Sequence, residues 1–194
     1  MKISNLVDVP RTICSIDAST NSLAFAIFED KKLSRYGKIN FTGANTYLKS
    51  GDAAQKTLAL FKNFDIDAIV IEQVVYLNSP KTLLDLSIVQ GAVASASIMA
   101  GVKSVYSVPP ITWQTFIGNK KLTKEEQKDI RDKSPGKSLS WYKTQERELR
   151  KQRTINLMNI EYDTSISDND VADAVGIGHY AINNPLKIFG KSQP

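Results

Sequence analysis

Four carboxylates in this chain stand where a sequence that needed only a core would place apolar side chains. Asp17 closes the run Thr12-Ile13-Cys14-Ser15-Ile16, and Glu72 follows Ala68-Ile69-Val70-Ile71 without a break. Asp170 and Asp173 interrupt the segment Asp170-Val171-Ala172-Asp173-Ala174-Val175. A carboxylate at the end of a buried strand is costly unless it is paired. Four such groups brought together would repel and raise one another's pKa unless cations joined them. An all-oxygen donor set favours Mg2+ or Mn2+ over zinc. With one histidine, His179, and one cysteine, Cys14, the sequence holds no multi-histidine zinc site, thiolate cluster or internal disulfide.

Each acid also has an ordinary structural role open to it. Asp17 suits the cap of a following turn. Ser167 or Asp168 suits the N-cap of a last helix, and Asp170 suits that helix's dipole. Glu72 and Asp173 have the weakest such alternatives, because their neighbours are apolar.

Positioning these acids is the task of the surrounding elements. Residues Thr12 to Asp17, Leu23 to Glu29 and Leu33 to Asn40 read as three short strands separated by turn-prone Ser19-Thr20-Asn21 and Glu29-Asp30-Lys31-Lys32, an antiparallel meander. Ala44 to Phe64 carries Leu48, Leu58, Phe61 and Phe64 at roughly helical spacing and contains no proline. Ala68 to Ile71 reads as a buried central strand with Glu72 at its C-terminal end. Pro80 to Ala100 reads as a long apolar helix, Val102 to Val108 as a strand, and Ile111 to Ile117 as a short helix. Lys143 to Met158 and Ser167 to Asn183 read as two further helices. In a sheet where the first and fourth strands are neighbours, Asp17 and Glu72 converge at one edge, and Asp170 and Asp173, three apart, share a helix face. The expected class is α/β, a mixed five-stranded sheet flanked by helices, in one domain over residues 1–194 without internal repeats.

Of 194 residues, 25 are Lys or Arg and 20 are Asp or Glu, a formal net charge of +5, and 42% are apolar. Collagenous, low-complexity and wholly disordered classes are excluded. The start has no apolar signal core and no run approaches ~18 uninterrupted apolar residues, so the expectation is a soluble, cytoplasmic protein without a membrane span. Residues 119–153 hold twelve bases and six acids, a local +6 that leaves −1 for everything else. Such a segment attracts a phosphate backbone, although the interleaved acids also suit a solvated loop. Lys143, Arg147, Arg150 and Lys151 would share one helix face, with Lys120, Lys121 and Lys124 preceding them, while Asp132 to Ser138 reads as a mobile loop.

In three separate blocks the sequence resembles the RuvC family of Holliday-junction resolvases, within the ribonuclease H-like fold. Ile16-Asp17-Ala18-Ser19 resembles the family's first-strand aspartate motif. Ile71-Glu72-Gln73-Val74, with Gln90-Gly91 in the following helix, resembles its second, and Asp170-Val171-Ala172-Asp173-Ala174 its last. Gln114-Thr115 and Gly118, with Lys124 six residues on, extend the likeness. Where bacterial members tend to carry a lysine five residues before that glycine, this chain has Trp113. The aromatic that often follows the motif glutamate by three positions is replaced by Val75, which leaves Tyr76 beside it as the candidate DNA contact. The basic insert at about 119–142 is longer than in compact bacterial members and resembles the phage and viral branch.

What the resemblance implies is a structure-specific endonuclease that resolves four-way junctions, and other branched DNA, by paired nicks. Two Mg2+ ions per site, replaceable by Mn2+, would activate water and stabilise the leaving 3′ oxygen. Asp17 would bridge them, Glu72 and Asp173 would each hold one, and Asp170 would complete the cluster. Family members dimerise through the helix after the fourth strand, so a homodimer is expected, in a host cytoplasm or nucleoid if phage-encoded. His179 is expected to be structural, and no helicase partner can be named. The rivals are an RNA-directed nuclease of ribonuclease H or pre-rRNA-processing type, a non-catalytic junction-binding protein that would need the fold without the acids, and last a sugar-kinase-like ATPase, whose glycine-rich phosphate turns are missing.

Overall fold

A computed structural model describes residues 9–75 and 79–190. Strands β1 (Thr12–Ala18), β2 (Ser22–Glu29) and β3 (Lys32–Asn40) form the expected meander, and β4 (Ala68–Glu72) and β5 (Ser104–Val108) extend it. The order across the sheet is β3-β2-β1-β4-β5, antiparallel in the meander and parallel from β1 through β4 to β5. The mixed α/β sheet expected from the sequence is therefore present, with β1 and β4 side by side at its centre.

Period-two alternation splits the strand side chains between two cores. Cys14, Ile16, Leu23, Ile27, Ile69 and Ile71 face one side, where they meet helices α1 (Thr46–Phe61) and α2 (Pro80–Met99). Ile13, Ala24, Ala26, Phe28, Val70 and Val108 face the other, where α6 (Asn169–Asn183) lies across the strands. That second core also takes Trp113 from α3 (Pro110–Phe116), Ile155 and Met158 from α5 (Leu139–Tyr162), and Ile188 from α7 (Pro185–Ile188).

Helix α6 is buried nearly all round, and two glycines let it approach the sheet. A Cβ on Gly178 would stand 2.1 Å from Phe28 Cε2 and 2.6 Å from Ser15 Oγ, and one on Gly176 would stand 2.8 Å from Trp113 Cζ3. The Ser15 hydroxyl donates to the Ala174 carbonyl at 2.7 Å, which fixes the helix's position along β1.

By length and composition alone α2 could cross a membrane, the one such helix among the described residues. One face of it is tied into the fold. Val89 and Val93 are fully buried, Gln90 Nε2 donates to the Glu72 carbonyl at 2.7 Å, and the Thr46 hydroxyl donates to Asp85 at 2.9 Å.

The basic insert is more ordered than its composition suggests. Residues Lys124–Lys133 form helix α4, started by a capping box in which Thr123 and Glu126 satisfy each other's backbone N–H groups. Helix α5 begins at Leu139 rather than at Lys143, because the Ser138 side chain caps it. Only Ser134 to Ser138 remain as the connecting turn.

Candidate active site

Register places the first two acids. Ile16 pairs with Ile71 across β1 and β4, so Asp17 and Glu72 follow side by side at the strand ends, about one strand spacing (~4.8 Å) apart. Alternation then turns both toward α6: Ile13 and Val70 lie in that core, and Asp17 and Glu72 are an even number of residues further on. Helix α6 contributes Asp170 in its first turn and Asp173 one turn later. Its N-cap is Asp168, whose Oδ1 accepts from the backbone N–H groups of Asp170 (2.8 Å) and Val171 (3.2 Å).

The electrostatics show that the four acids converge. Burial pushes the Asp17 carboxyl well above the usual range, and repulsion from Glu72, Asp173 and Asp170 pushes it further, partly offset by Lys38. Asp173 is raised to about 7, by burial first and then by Glu72 and Asp170, with the Thr154 hydroxyl and Lys151 acting against the shift. Glu72 is raised by burial and partly relieved by the indole N–H of Trp113, which donates to its Oε1 at 2.7 Å. The alternative role of Asp17 as a turn cap is overturned. The following turn is closed by Ser19, whose hydroxyl accepts from Ser22 N–H at 3.0 Å and whose N–H donates to the Ser22 carbonyl at 2.8 Å.

Two residues that the sequence reading did not assign to the site hold the acids in place. Trp113, noted only as a departure from a lysine, is fully buried and fixes Glu72. Lys38 on β3 donates to Asp170 Oδ2 at 2.6 Å and to Asp168 Oδ2 at 2.9 Å. Its signal was a lysine in a strand register opposite small, buried Ala24. Among the described residues no three Asp, Glu, His or Cys side chains are arranged to hold a metal ion. The donor chemistry nevertheless fits a hard divalent cation, with four carboxylates, three of them raised by burial, and neither imidazole nor thiolate among them. His179 is occupied elsewhere, its Nδ1 2.7 Å from the Tyr162 hydroxyl, as expected of a structural histidine.

The basic residues divide. Lys121, Lys143, Arg147, Arg150 and Lys151 line one cleft of about 470 Å3 that Asp173 also lines. Lys143 and Arg147 are exposed there. Arg150 is committed to the fold, with Nη2 donating to Gln114 Oε1 at 2.7 Å and to the Asn119 carbonyl at 3.3 Å. Asn119 in turn donates to the Thr154 hydroxyl at 2.8 Å, so the cleft floor is hydrogen-bonded up to the residue beside Asp173. Lys151 stands 3.6 Å from Glu148. Lys120 and Lys124 are exposed outside this cleft, and Tyr76 lies outside the described residues.

No family model matches the sequence. Among solved structures, that of T. thermophilus RuvC in complex with Holliday junction substrate superimposes with a TM-score of 0.65 at 13% identity, covering 92% of this chain and 98% of that one. A second Thermus thermophilus RuvC structure gives 0.63 at 14% identity, with the same coverage. These establish the shared fold. The crossover junction endodeoxyribonuclease RuvC of Aliarcobacter butzleri is 31% identical over 119 residues, 59% of this chain and 77% of that protein. Identity at that level across more than three quarters of a relative's length reaches beyond a common fold, and this chain belongs to the RuvC family.

Proposed function

We propose that this protein is a crossover junction endodeoxyribonuclease that resolves four-way DNA junctions by paired phosphodiester hydrolysis, with Asp17, Glu72, Asp170 and Asp173 as its catalytic carboxylates. The observation that carries the reading is the convergence of acids from β1, β4 and α6 on one face of the sheet, at the end of a cleft lined by five basic residues. Asp17 is the central member, since the other three all act on it. Together with Glu72, Asp173 and Asp170 it would hold the divalent cations. These carboxylates would hold Mg2+, or Mn2+ in its place, which would supply Lewis acidity for phosphodiester hydrolysis.

The chain's own residues do the rest. Trp113 keeps one Glu72 oxygen occupied and leaves the other for a ligand. Lys121, Lys143 and Arg147 lead a phosphate backbone along the cleft to Asp173. Arg150 stiffens the cleft floor rather than reaching for DNA.

Two matched cuts require two active sites, and an exposed stripe along α2 supports a homodimer. Leu84, Ser87, Gly91, Ser95 and Ile98 recur at three- and four-residue spacing and are all exposed. A Cβ on Gly91 would meet nothing within 4 Å, so a second helix has room to approach.

The deciding experiment compares Mg2+-dependent cleavage of a four-way junction, linear duplex, a flap and an RNA–DNA hybrid. Paired nicking of the junction in preference to the others is expected. Asp17→Asn and Glu72→Gln should abolish nicking and retain junction binding. Preference for the RNA–DNA hybrid would replace the proposal with an RNA-directed nuclease.

A further inference from the structure

Across three strands the register lines up Asp17, Ala24 and Lys38: Asp17 pairs with Ala24 on β2, and Ala24 pairs with Lys38 on β3. Directly paired residues point to the same face of a sheet, so Lys38 lies on the α6 side, two strand spacings from Asp17. Ala24, fully buried between them, presents only a methyl group, and the lysine runs from the sheet edge to α6. Its ammonium contacts two carboxylates, Asp170 at 2.6 Å and the Asp168 N-cap at 2.9 Å, and its charge reaches Asp17. The Lys38 and Asp170 side chains are 27% and 32% exposed, so the pair is partly sheltered from solvent screening.

We propose that Lys38 is a resident counter-charge that competes with the divalent cation for Asp170 and so sets the cation concentration at which the site assembles. The inference rests on the carboxylate cluster proposed above and adds to it a residue that acts through Asp170. Two features distinguish this role from an ordinary surface ion pair. Lys38 holds an acid of the cluster together with the residue that starts the helix carrying two of its four members, so its position is tied at two points to the N-terminal end of α6. It also brings positive charge to a site whose other acids are raised by burial and mutual repulsion. The Asp170 oxygen that Lys38 occupies at 2.6 Å is unavailable to a metal until the ammonium yields it. Removing the ammonium therefore frees a ligand and makes the cluster more negative, and both changes strengthen cation binding.

The test is equilibrium Mn2+ binding to the DNA-free protein, read from the electron paramagnetic resonance signal of free Mn2+. Lys38→Met, and Lys38→Gln as a second neutral variant, should bind Mn2+ at least ten-fold more tightly than the wild type. Lys38→Arg, which keeps the charge, should stay within about three-fold of it. Asp168→Asn retains an N-cap side chain but loses one ion pair to Lys38, and should bind Mn2+ no more tightly than the wild type. Unchanged or weaker binding by folded Lys38→Met and Lys38→Gln would overturn the proposal while leaving the carboxylate cluster standing. A wild type that binds no Mn2+ and cleaves nothing would overturn the cluster, and this inference with it.

Discussion

Asp173 carries the sharpest consequence of gathering four acids beneath α6. Its carboxyl is raised from an ordinary value of 3.8 to about 7, with burial the largest cause and Glu72 and Asp170 the next. A carboxyl raised in the folded state binds its proton more tightly there than in the unfolded chain, so its contribution to stability is complete below pH 3.8 and is lost as pH rises through 7. About three pKa units at about 1.4 kcal/mol each amount to roughly 4 kcal/mol of lost stability by pH 8, of which about 2 to 3 kcal/mol disappears between pH 5 and pH 8. Asp173→Asn removes the titration and keeps the shape. In EDTA, urea unfolding should show the variant more stable than the wild type by about 2 to 4 kcal/mol at pH 8, with the gap narrowing toward pH 5 at unchanged m-value. Mg2+ should then reverse the order: a cation at a hundred times its dissociation constant stabilises the wild type by about 2.7 kcal/mol, and the variant, lacking a ligand, by much less. A variant no more stable than the wild type at pH 8 in EDTA would refute the reasoning. So would a gap that stays constant from pH 5 to pH 8.

Other consequences concern the residues around the cluster. Trp113→Phe keeps the ring in the core but strips the donor from Glu72, which should lower stability at pH 8 by about 1 to 3 kcal/mol in urea unfolding and slow nicking while junction affinity, read by gel shift, is retained. Gly178→Ala would drive a methyl group into Phe28 and Ser15, and should cost about 3 kcal/mol or more in urea unfolding, or prevent folding. Neutralising Lys143 and Arg147 to Gln should weaken binding to junction and duplex alike and lower the magnitude of the salt slope of log K by about 0.9 for each phosphate no longer neutralised, as measured by fluorescence anisotropy across a salt series.

Local pattern sufficed for the strands, for α6 and for the positions of the acids at the strand ends and in α6, and the reason is physical. Ala68 to Ile71 is buried on both faces, so its apolar run is continuous and its end at Glu72 is abrupt. Strand β1 alternates between two cores, and an acid at its end stands out against that alternation. The insert was harder because charge obscured its helical signal. Helix α4 buries none of its residues, which leaves no apolar stripe to read. Its capping box, Thr123 with Glu126, was the available clue.

The parts of the site that composition and spacing did not reveal are pairings made at long range along the chain. Trp113 meets Glu72 across 41 positions, and Lys38 meets Asp170 across 132. Neither partner has a local motif: Lys38 is placed by the register of the sheet, and Trp113 by the packing of α3 against α6. A one-residue slip of β3 against β2 would turn Lys38 to the α1 side and leave Asp170 without its ammonium. That register is held on β3 by Ile39, packed against the core under α1 and α2, and Leu33, packed against the core under α6, while alternation fixes β2, with Leu23 and Ile27 on the first side and Ala24, Ala26 and Phe28 on the second. The apolar residues that gave away the fold are thus also the ones that aim the lysine, and changing the hydrophobic phase of β2 or β3 would move a charge at the carboxylate cluster without touching any residue that bears one.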